Sequence, residues 1–185
     1  MVEIAERSPA AVARTLVAIA RDAIAAGERP QPMEWPQDWL RVNAASFVTL
    51  RIDGELRGCI GSIDPRRALG DDVAYNAYAA AYRDPRFPPL EEREVANLEI
   101  EISVLTPRVP IEAASEEEAL AALRPGSDGI YLEFGERTAT FLPQVWENLA
   151  DRLDFLSELR RKAGLPPRFW NDAVKLSRYT VEKYK

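Results

Sequence analysis

Apolar and polar positions follow two rhythms along this chain. Between residues 9 and 26 the apolar side chains Val12, Leu16, Ile19 and Ala23 return at helical intervals. Ser8-Pro9 opens that run and Gly27 closes it, the pairing of an N-cap with a first-turn proline and of a helix end with glycine. The pattern predicts a helix over 9–26. From Ser46 the period shortens to two. In SFVTLRI the residues Val48, Leu50 and Ile52 share a face, Asp53-Gly54 signals a tight turn, and LRGCIGSI returns as a second strand. NLEIEISVL alternates most cleanly, with Leu98, Ile100, Ile102 and Val104 opposite Glu99, Glu101 and Ser103. GIYLEF and RTATFL read as two strands joined across Gly135-Glu136, and AVKLSRYTVEKY as one closing strand.

Helical patterns separate these strands. DPRRALGDDVAYNAYAAAY reads as a helix with Asp64 as cap and Pro65 as its first residue. Its alanines at 74, 77, 80 and 81 permit close approach to a sheet. SEEEALAAL carries the capping-box pair Ser115 and Glu118. Pro143 opens a helix that breaks near 150 and resumes through Leu153, Leu156 and Leu159 to Gly164. Three proline loops remain: RPQPMEWPQDWL, held down by Trp35 and Trp39, then the stiff RDPRFPPL, then LPPRFW. Helices and antiparallel hairpins alternate without a βαβ rhythm, so the class is α+β. The 185 residues suffice for a single domain spanning 1–185, with room for a small second lobe.

Composition narrows the chemistry. The chain has no histidine and one cysteine, Cys59. Ser-His and Cys-His dyads, histidine zinc sites, thiolate clusters and a resident iron–sulfur centre are thereby excluded, and neither a metal nor a cofactor is expected. A general base must be Asp, Glu, Lys, Tyr or the thiolate itself. The formal net charge of −6 argues against nucleic acid as a partner. No stretch is long and apolar enough for a membrane span, the N-terminus lacks a signal-peptide core, and a lone cysteine favours a reducing cytoplasm.

GELRGCIGS, residues 54–62, raises the sharpest question. A two-residue turn at Asp53-Gly54 sets Arg57 and Cys59 beside Leu50 and Val48. A turn one residue longer, with a bulge, sets them beside Arg51 and Thr49. The second register keeps Val48, Leu50, Ile52, Leu56 and Ile60 on one apolar face and is chosen for that reason. Cys59 then lies among Arg57, Arg51 and Thr49, where cations favour a thiolate, and Gly58 and Gly61 leave room for a ligand or another backbone. The opposing reading is a small buried cysteine under a tightly packed helix.

The remaining candidates are weaker. Asp84 and Arg86 on RDPRFPPL form either an anion clamp or an internal contact that holds the turn while Phe87 plugs the core. The helix that joins the two segments returns across the same sheet, which predicts that RDPRFPPL packs near RGCIG. Glu99 and Glu101 read as a solvent face, and Tyr75, Tyr78 and Tyr82 as a packing stripe. GSDGIYL lacks the phosphate-loop pattern.

FVTLRIDGELRGCIGS, RDPRFPPL, LEIEISVLTP, GSDGIYLEF, RTATFLPQVWE and FLSELRRKAGLP occur in one order. By that ordered set the chain resembles the AMMECR family, in the bacterial and archaeal branch called AmmeMemoRadiSam system protein A. The resemblance spans nearly the whole chain, and Leu56 to Gly61 matches the family signature residue by residue. It implies an α+β fold with a main antiparallel sheet, helices and a smaller lobe. The family's activity is not established, so no reaction is implied and enzyme status stays open. The branch name reflects association with radical SAM enzymes and Memo-like proteins, which are the implied partners. Two functions follow as expectations. One is an accessory protein that uses Cys59 as its chemical handle, with Arg57 supporting the thiolate and Arg86 binding an anionic group. The other is a non-catalytic module whose RGCIG segment shapes a groove for a protein or peptide. Oligomeric state is open in both.

Overall fold

The 3.6-residue rhythm at the start of the chain becomes α1, Pro9–Ala26, closed by Gly27 in the left-handed conformation. The structure is a computed structural model and describes residues 7–185. Two compact units emerge, one of residues 7–105 with Glu182–Lys185 and one of Thr106–Val181.

In the first unit the proline strap after α1 buries Trp35 and Trp39 and contains a short helix, α2, Asp38–Arg41. The hairpin follows as β1, Ser46–Ile52, and β2, Glu55–Gly61. Next come α3, Leu69–Tyr82, a single turn α4, Glu92–Val95, and β3, Glu99–Leu105. α1 and α3 pack on the sheet, and the alanines of α3 at 74, 77, 80 and 81 are all buried. The apolar alternation of β1 and β3 supplies the floor of this core through Val48, Leu50, Ile100 and Ile102.

Two local expectations are corrected. α3 begins at Leu69, not at Pro65. The backbone at 67–69 pairs instead with 42–44, through Ala44 N–H to the Arg67 carbonyl, Leu69 N–H to the Val42 carbonyl and an Asn43–Ala68 bridge. An extended pairing and a helical turn exclude each other, so the helix waits until that bridge ends. The hairpin bulge is also displaced. Asp53 and Gly54 have φ of 52° and 81° and form a two-residue turn, the geometry whose twist suits a hairpin. Ile52 pairs with Glu55 and Arg51 with Leu56, and the shift then falls between Leu50 and Arg51. Arg57 is therefore the inserted residue within the strand. Beyond it Gly58, Cys59 and Ile60 face Leu50, Thr49 and Val48, as the bulged register requires. Leu56 sits opposite Arg51 and is 37% exposed, so it leaves the apolar face it was assigned to.

The second unit adds β4, Val109–Ile111, α5, Glu116–Ala122, β5, Gly129–Phe134, and β6, Arg137–Phe141. A 3₁₀ turn at Pro143–Glu147 precedes α6, Arg152–Lys162, whose cap Asp151 accepts from the N–H groups of Leu153 and Asp154. Trp146 stacks on Phe155 at 3.7 Å between ring centroids, and Leu156, Leu159, Ile130 and Leu132 complete the core. β7 is Lys175–Tyr179.

The closing segment is two strands rather than one. β8, Val181–Tyr184, follows β7 after the single residue Thr180, whose N–H donates to Thr106 Oγ1 and whose carbonyl accepts from Thr106 N–H. β4 escapes the sequence reading because its three residues are too short for an alternating run. The first sheet has the order β2-β1-β3-β8 and the second β4-β7-β5-β6. The fold is α+β with antiparallel ladders. Among the described residues no helix is long and apolar enough to cross a membrane.

Candidate functional site at the Cys59 strand

β2 is the edge strand of its sheet, and an edge exposes unpaired backbone groups. Here the loop after α3 occupies them. Cys59 N–H donates to Asp84 Oδ2 at 2.9 Å, and Arg86 Nη2 donates to the Cys59 carbonyl at 3.0 Å. Asp84 and Arg86 bind each other through Nη2 to Oδ2 at 2.7 Å and Nε to Oδ1 at 2.9 Å. Pro85, Pro88 and Pro89 carry no N–H, so this loop offers no continuous ladder. The ion pair serves in place of a strand.

Arg57, the bulged residue, is held by the same loop and by α4. Its Nε and Nη2 donate to the two Glu94 carboxylate oxygens at 2.8 and 3.0 Å, and Nη1 donates to the Pro88 carbonyl at 3.0 Å. Glu94 also accepts from Glu91 N–H, so the capping box that starts α4 fixes the carboxylate that fixes Arg57. Arg57's hydrogen bond, joined by that of the Glu91 N–H, lowers the Glu94 pKa to about 2 against the opposing effect of burial. The Arg86 hydrogen bond holds Asp84 far below the usual carboxylate range in spite of its burial, and the Cys59 N–H adds to that. The loop is anchored by Leu90, which is buried and donates its N–H to the Ala81 carbonyl. Leu90 thus takes the core-plugging place expected of Phe87, which is only half-buried.

Alternation along β2 sends Gly58 toward α3 and Cys59 to the opposite face. The Cys59 thiol is free and half-buried, with its sulfur 3.4 Å from Thr49 Oγ1. Thr49 pairs in turn with Glu101 on β3. Burial raises the Glu101 pKa, but Lys185 and Lys183 at 3.0 and 3.6 Å outweigh it and leave the carboxyl lowered. A cleft of about 280 Å³ adjoins this row, lined by Thr49, Arg51, Glu99 and Glu101 with Val17, Arg21, Ile100 and Lys185.

The structure brings Cys59, Asp84 and Arg86 together as the sequence predicts. It redistributes the cations. Arg57 is committed to Glu94 and the proline carbonyls, and Arg51 donates to the Gly54 carbonyl. The guanidinium beside the thiol belongs to Arg86. Its own pKa is raised chiefly by the hydrogen bond to Asp84, against the opposing effect of burial. The two glycines are filled by the protein. A Cβ on Gly58 would sit 2.1 Å from the Ala80 carbonyl oxygen, and one on Gly61 would sit 2.2 Å from the Phe47 ring.

Two groups escaped the sequence reading. Glu94 carries a weak signal, the Glu91–Glu94 capping spacing. Asp72 carries a clearer one, a carboxylate inside an alanine-rich helix. It is 1% exposed and accepts from Ser46 N–H and Oγ, Ser62 Oγ, Asn76 Nδ2 and Arg67 Nε. It thereby ties both ends of the signature hairpin to α3. Among the described residues no three metal-binding side chains gather into a site.

A thiol on a sheet face, with its backbone clamped on both sides and a guanidinium close by, can act as a nucleophile or a covalent attachment point. It has no neighbouring imidazole to take its proton.

Comparison with known proteins supplies the context. The family model described as AMMECR1 matches residues 17–184. A protein of Methanothermobacter thermautotrophicus is 39% identical over 176 residues, covering 91% of each chain. One from Thermotoga maritima is 36% identical over 152 residues, covering 81% of this chain and 82% of its own. The crystal structure of an uncharacterized protein from Pyrococcus horikoshii superimposes with a TM-score of 0.74 at 37% identity. That match covers 91% of this chain and 88% of the other.

Proposed function

Starting from a chain that belongs to the AMMECR1 family, we propose that it is an accessory protein whose work is done through the Cys59 thiol. A radical SAM enzyme and a Memo-like protein are the partners the family resemblance suggests. The observation that carries the reading is the clamp: Asp84 and Arg86 hold the N–H and carbonyl of Cys59, while its sulfur points to the face away from α3. A fixed backbone with a directed side chain is what a site needs to present one reactive atom. In this role Arg86 supports the thiolate, Asp84 positions Arg86, and Arg57, Gly58 and Gly61 shape the strand. The thiolate attacks an electrophilic centre delivered by the partner, its proton passes to solvent, and the partner's leaving group departs. A reducing cytoplasm keeps the thiol free.

One observation favours the second reading, a non-catalytic binding module. Asp84 and Arg86 are both engaged with the Cys59 backbone, and no carboxylate contacts the sulfur among the described residues. Co-purification with a radical SAM protein, followed by intact mass of native chain and Cys59→Ser, separates the two. An adduct on the native chain that is lost in Cys59→Ser supports the thiol role. Equal partner binding by both chains, with no adduct on either, assigns the face to recognition.

A further inference from the structure

The first unit holds a second concave site on another part of α3. A cleft of about 340 Å³ is lined by Arg29, Pro30, Gln31 and Pro32 from the strap, and by Arg67, Asp71 and Tyr75 from the start of α3 and the segment before it. Its volume lies within the range of small-molecule sites. Two guanidinium groups attend one aromatic ring: Arg67 lies 4.2 Å from the Tyr75 centroid and Arg29 lies 5.5 Å from it.

The two arginines are held very differently. Arg67 directs Nε and Nη2 onto Asp72 at 3.1 and 3.0 Å, and Asp72 is almost wholly buried. Its plane is thus fixed from behind by a carboxylate and from the side by a ring, while Nη1 is left without a hydrogen bond among the described residues. Among the described residues Arg29 has no carboxylate partner, and its guanidinium lies over the Tyr75 ring. The acidic group in the lining, Asp71, is already engaged. Its Oδ1 accepts from Met33 N–H at 3.2 Å and from Trp35 Nε1 at 2.9 Å, which pins the strap to α3. The Trp35 ring lies so close to Gly70 that a Cβ there would fall 2.2 Å from it. The cleft wall is therefore built, with three prolines in the strap at 30, 32 and 36 and a locked indole behind it.

We propose that this cleft binds a small organic anion, with its phosphate or carboxylate between Arg29 and Arg67 and its apolar part against Pro30 and Pro32. A pre-oriented guanidinium offers a geometric match to either group. The lining sets two guanidinium groups against one carboxylate, Asp71, whose hydrogen bonds turn it toward the strap, in a chain with a formal charge of −6. Volume sets the size class. The cleft exceeds what an inorganic ion fills and suits a compact metabolite with one anionic end. The inference stands apart from the Cys59 reading, since the two sites share no residue.

The test is isothermal titration of the intact chain with phenyl phosphate, benzoate and phenol, in native protein, Arg29→Gln and Arg29→Lys. Arg29 is exposed and bonds to nothing in the core, so its variants keep the fold. Binding of phenyl phosphate or benzoate with one site, and none of phenol, is the expected result; the tighter of the two anions identifies the group. Loss of one charge-assisted contact predicts about tenfold weaker binding in Arg29→Gln, with partial recovery in Arg29→Lys. Equal binding of phenol, unchanged affinity in Arg29→Gln, or no binding of either anion at roughly ten millimolar overturns the proposal.

Discussion

Gly58 and Gly61 flank Cys59 at similar distances in sequence, yet the geometry predicts opposite responses to repair. An alanine at 58 places its Cβ 2.1 Å from the Ala80 carbonyl oxygen and 3.0 Å from its carbon. An ordinary carbon–oxygen approach is about 3.3 Å, so β2 and α3 must separate by about 1 Å. Neither is free to do so, because Ala80 is fully buried and Cys59 is clamped from the other side. Overpacking costs about 1–3 kcal/mol, and two backbones in collision belong at the top of that range. The gain of roughly 0.5–1 kcal/mol from removing a strand glycine leaves a net cost of about 2–2.5 kcal/mol. At about 2–4 °C per kcal/mol for a chain this size, Gly58→Ala melts about 4–10 °C lower. Ala80→Gly does not rescue it, because the obstructing atom is a carbonyl oxygen. Gly61→Ala meets a side chain instead, the Phe47 ring at 2.2 Å. In a Phe47→Ala background its added cost falls below about 1 kcal/mol, a coupling that a double-mutant cycle reads directly. Thermal melts and urea titrations followed by circular dichroism measure both. A Gly58→Ala protein that melts within about 2 °C of native, or that Ala80→Gly restores, refutes the reasoning.

Three further outcomes are expected. The Glu94 carboxyl is lowered from 4.5 to about 2 by Arg57, so the stability it contributes is complete above pH 4.5 and is lost as pH falls toward 2. The stability difference between native and Glu94→Gln, from urea titrations across that range, is constant at neutral pH and shrinks in acid; a difference that grows in acid contradicts it. Asp72→Asn replaces an acceptor that takes several donors with a group that is itself a donor, at a cost of about 3 kcal/mol, readable as a lower urea midpoint. Arg86→Gln removes the cation beside the thiol, and at about 1 kcal/mol for such a charge contact it slows iodoacetamide labelling of Cys59 about fivefold at neutral pH. Equal labelling rates would remove Arg86 from any role at the sulfur.

The hairpin register was legible because only one register puts Val48, Leu50 and Ile60 on a common face, and burial enforces that choice. What the alternation leaves undetermined is where the extra residue goes. The Asp-Gly turn adopts its preferred two-residue form, and the bulge moves into the strand at Arg57. The nearness of RDPRFPPL to RGCIG was legible because a helix of fixed rise returns the chain to the sheet edge. The partner of Arg57 was not, since Glu94 lies 37 residues away and no local rule selects one glutamate among several. The late start of α3 was hidden for a similar reason. Asp64-Pro65 is a sound helix opening in isolation, and a bridge from Asn43 overrides it.

The placement of β8 bears on how the chain is completed during synthesis. β8 belongs to a sheet whose other strands end at Leu105, and it is separated from them by residues 106–180. At about 5–20 residues per second that interval lasts roughly 4–15 s. Throughout it β3 lacks its outer neighbour, and the first core lacks Tyr184, which is buried there. The Thr106–Val181 segment emerges whole in the meantime, with its own core and sheet. The first sheet is therefore finished only after the second unit has been made, and the edge of β3 stays open to stray pairing until β8 closes it.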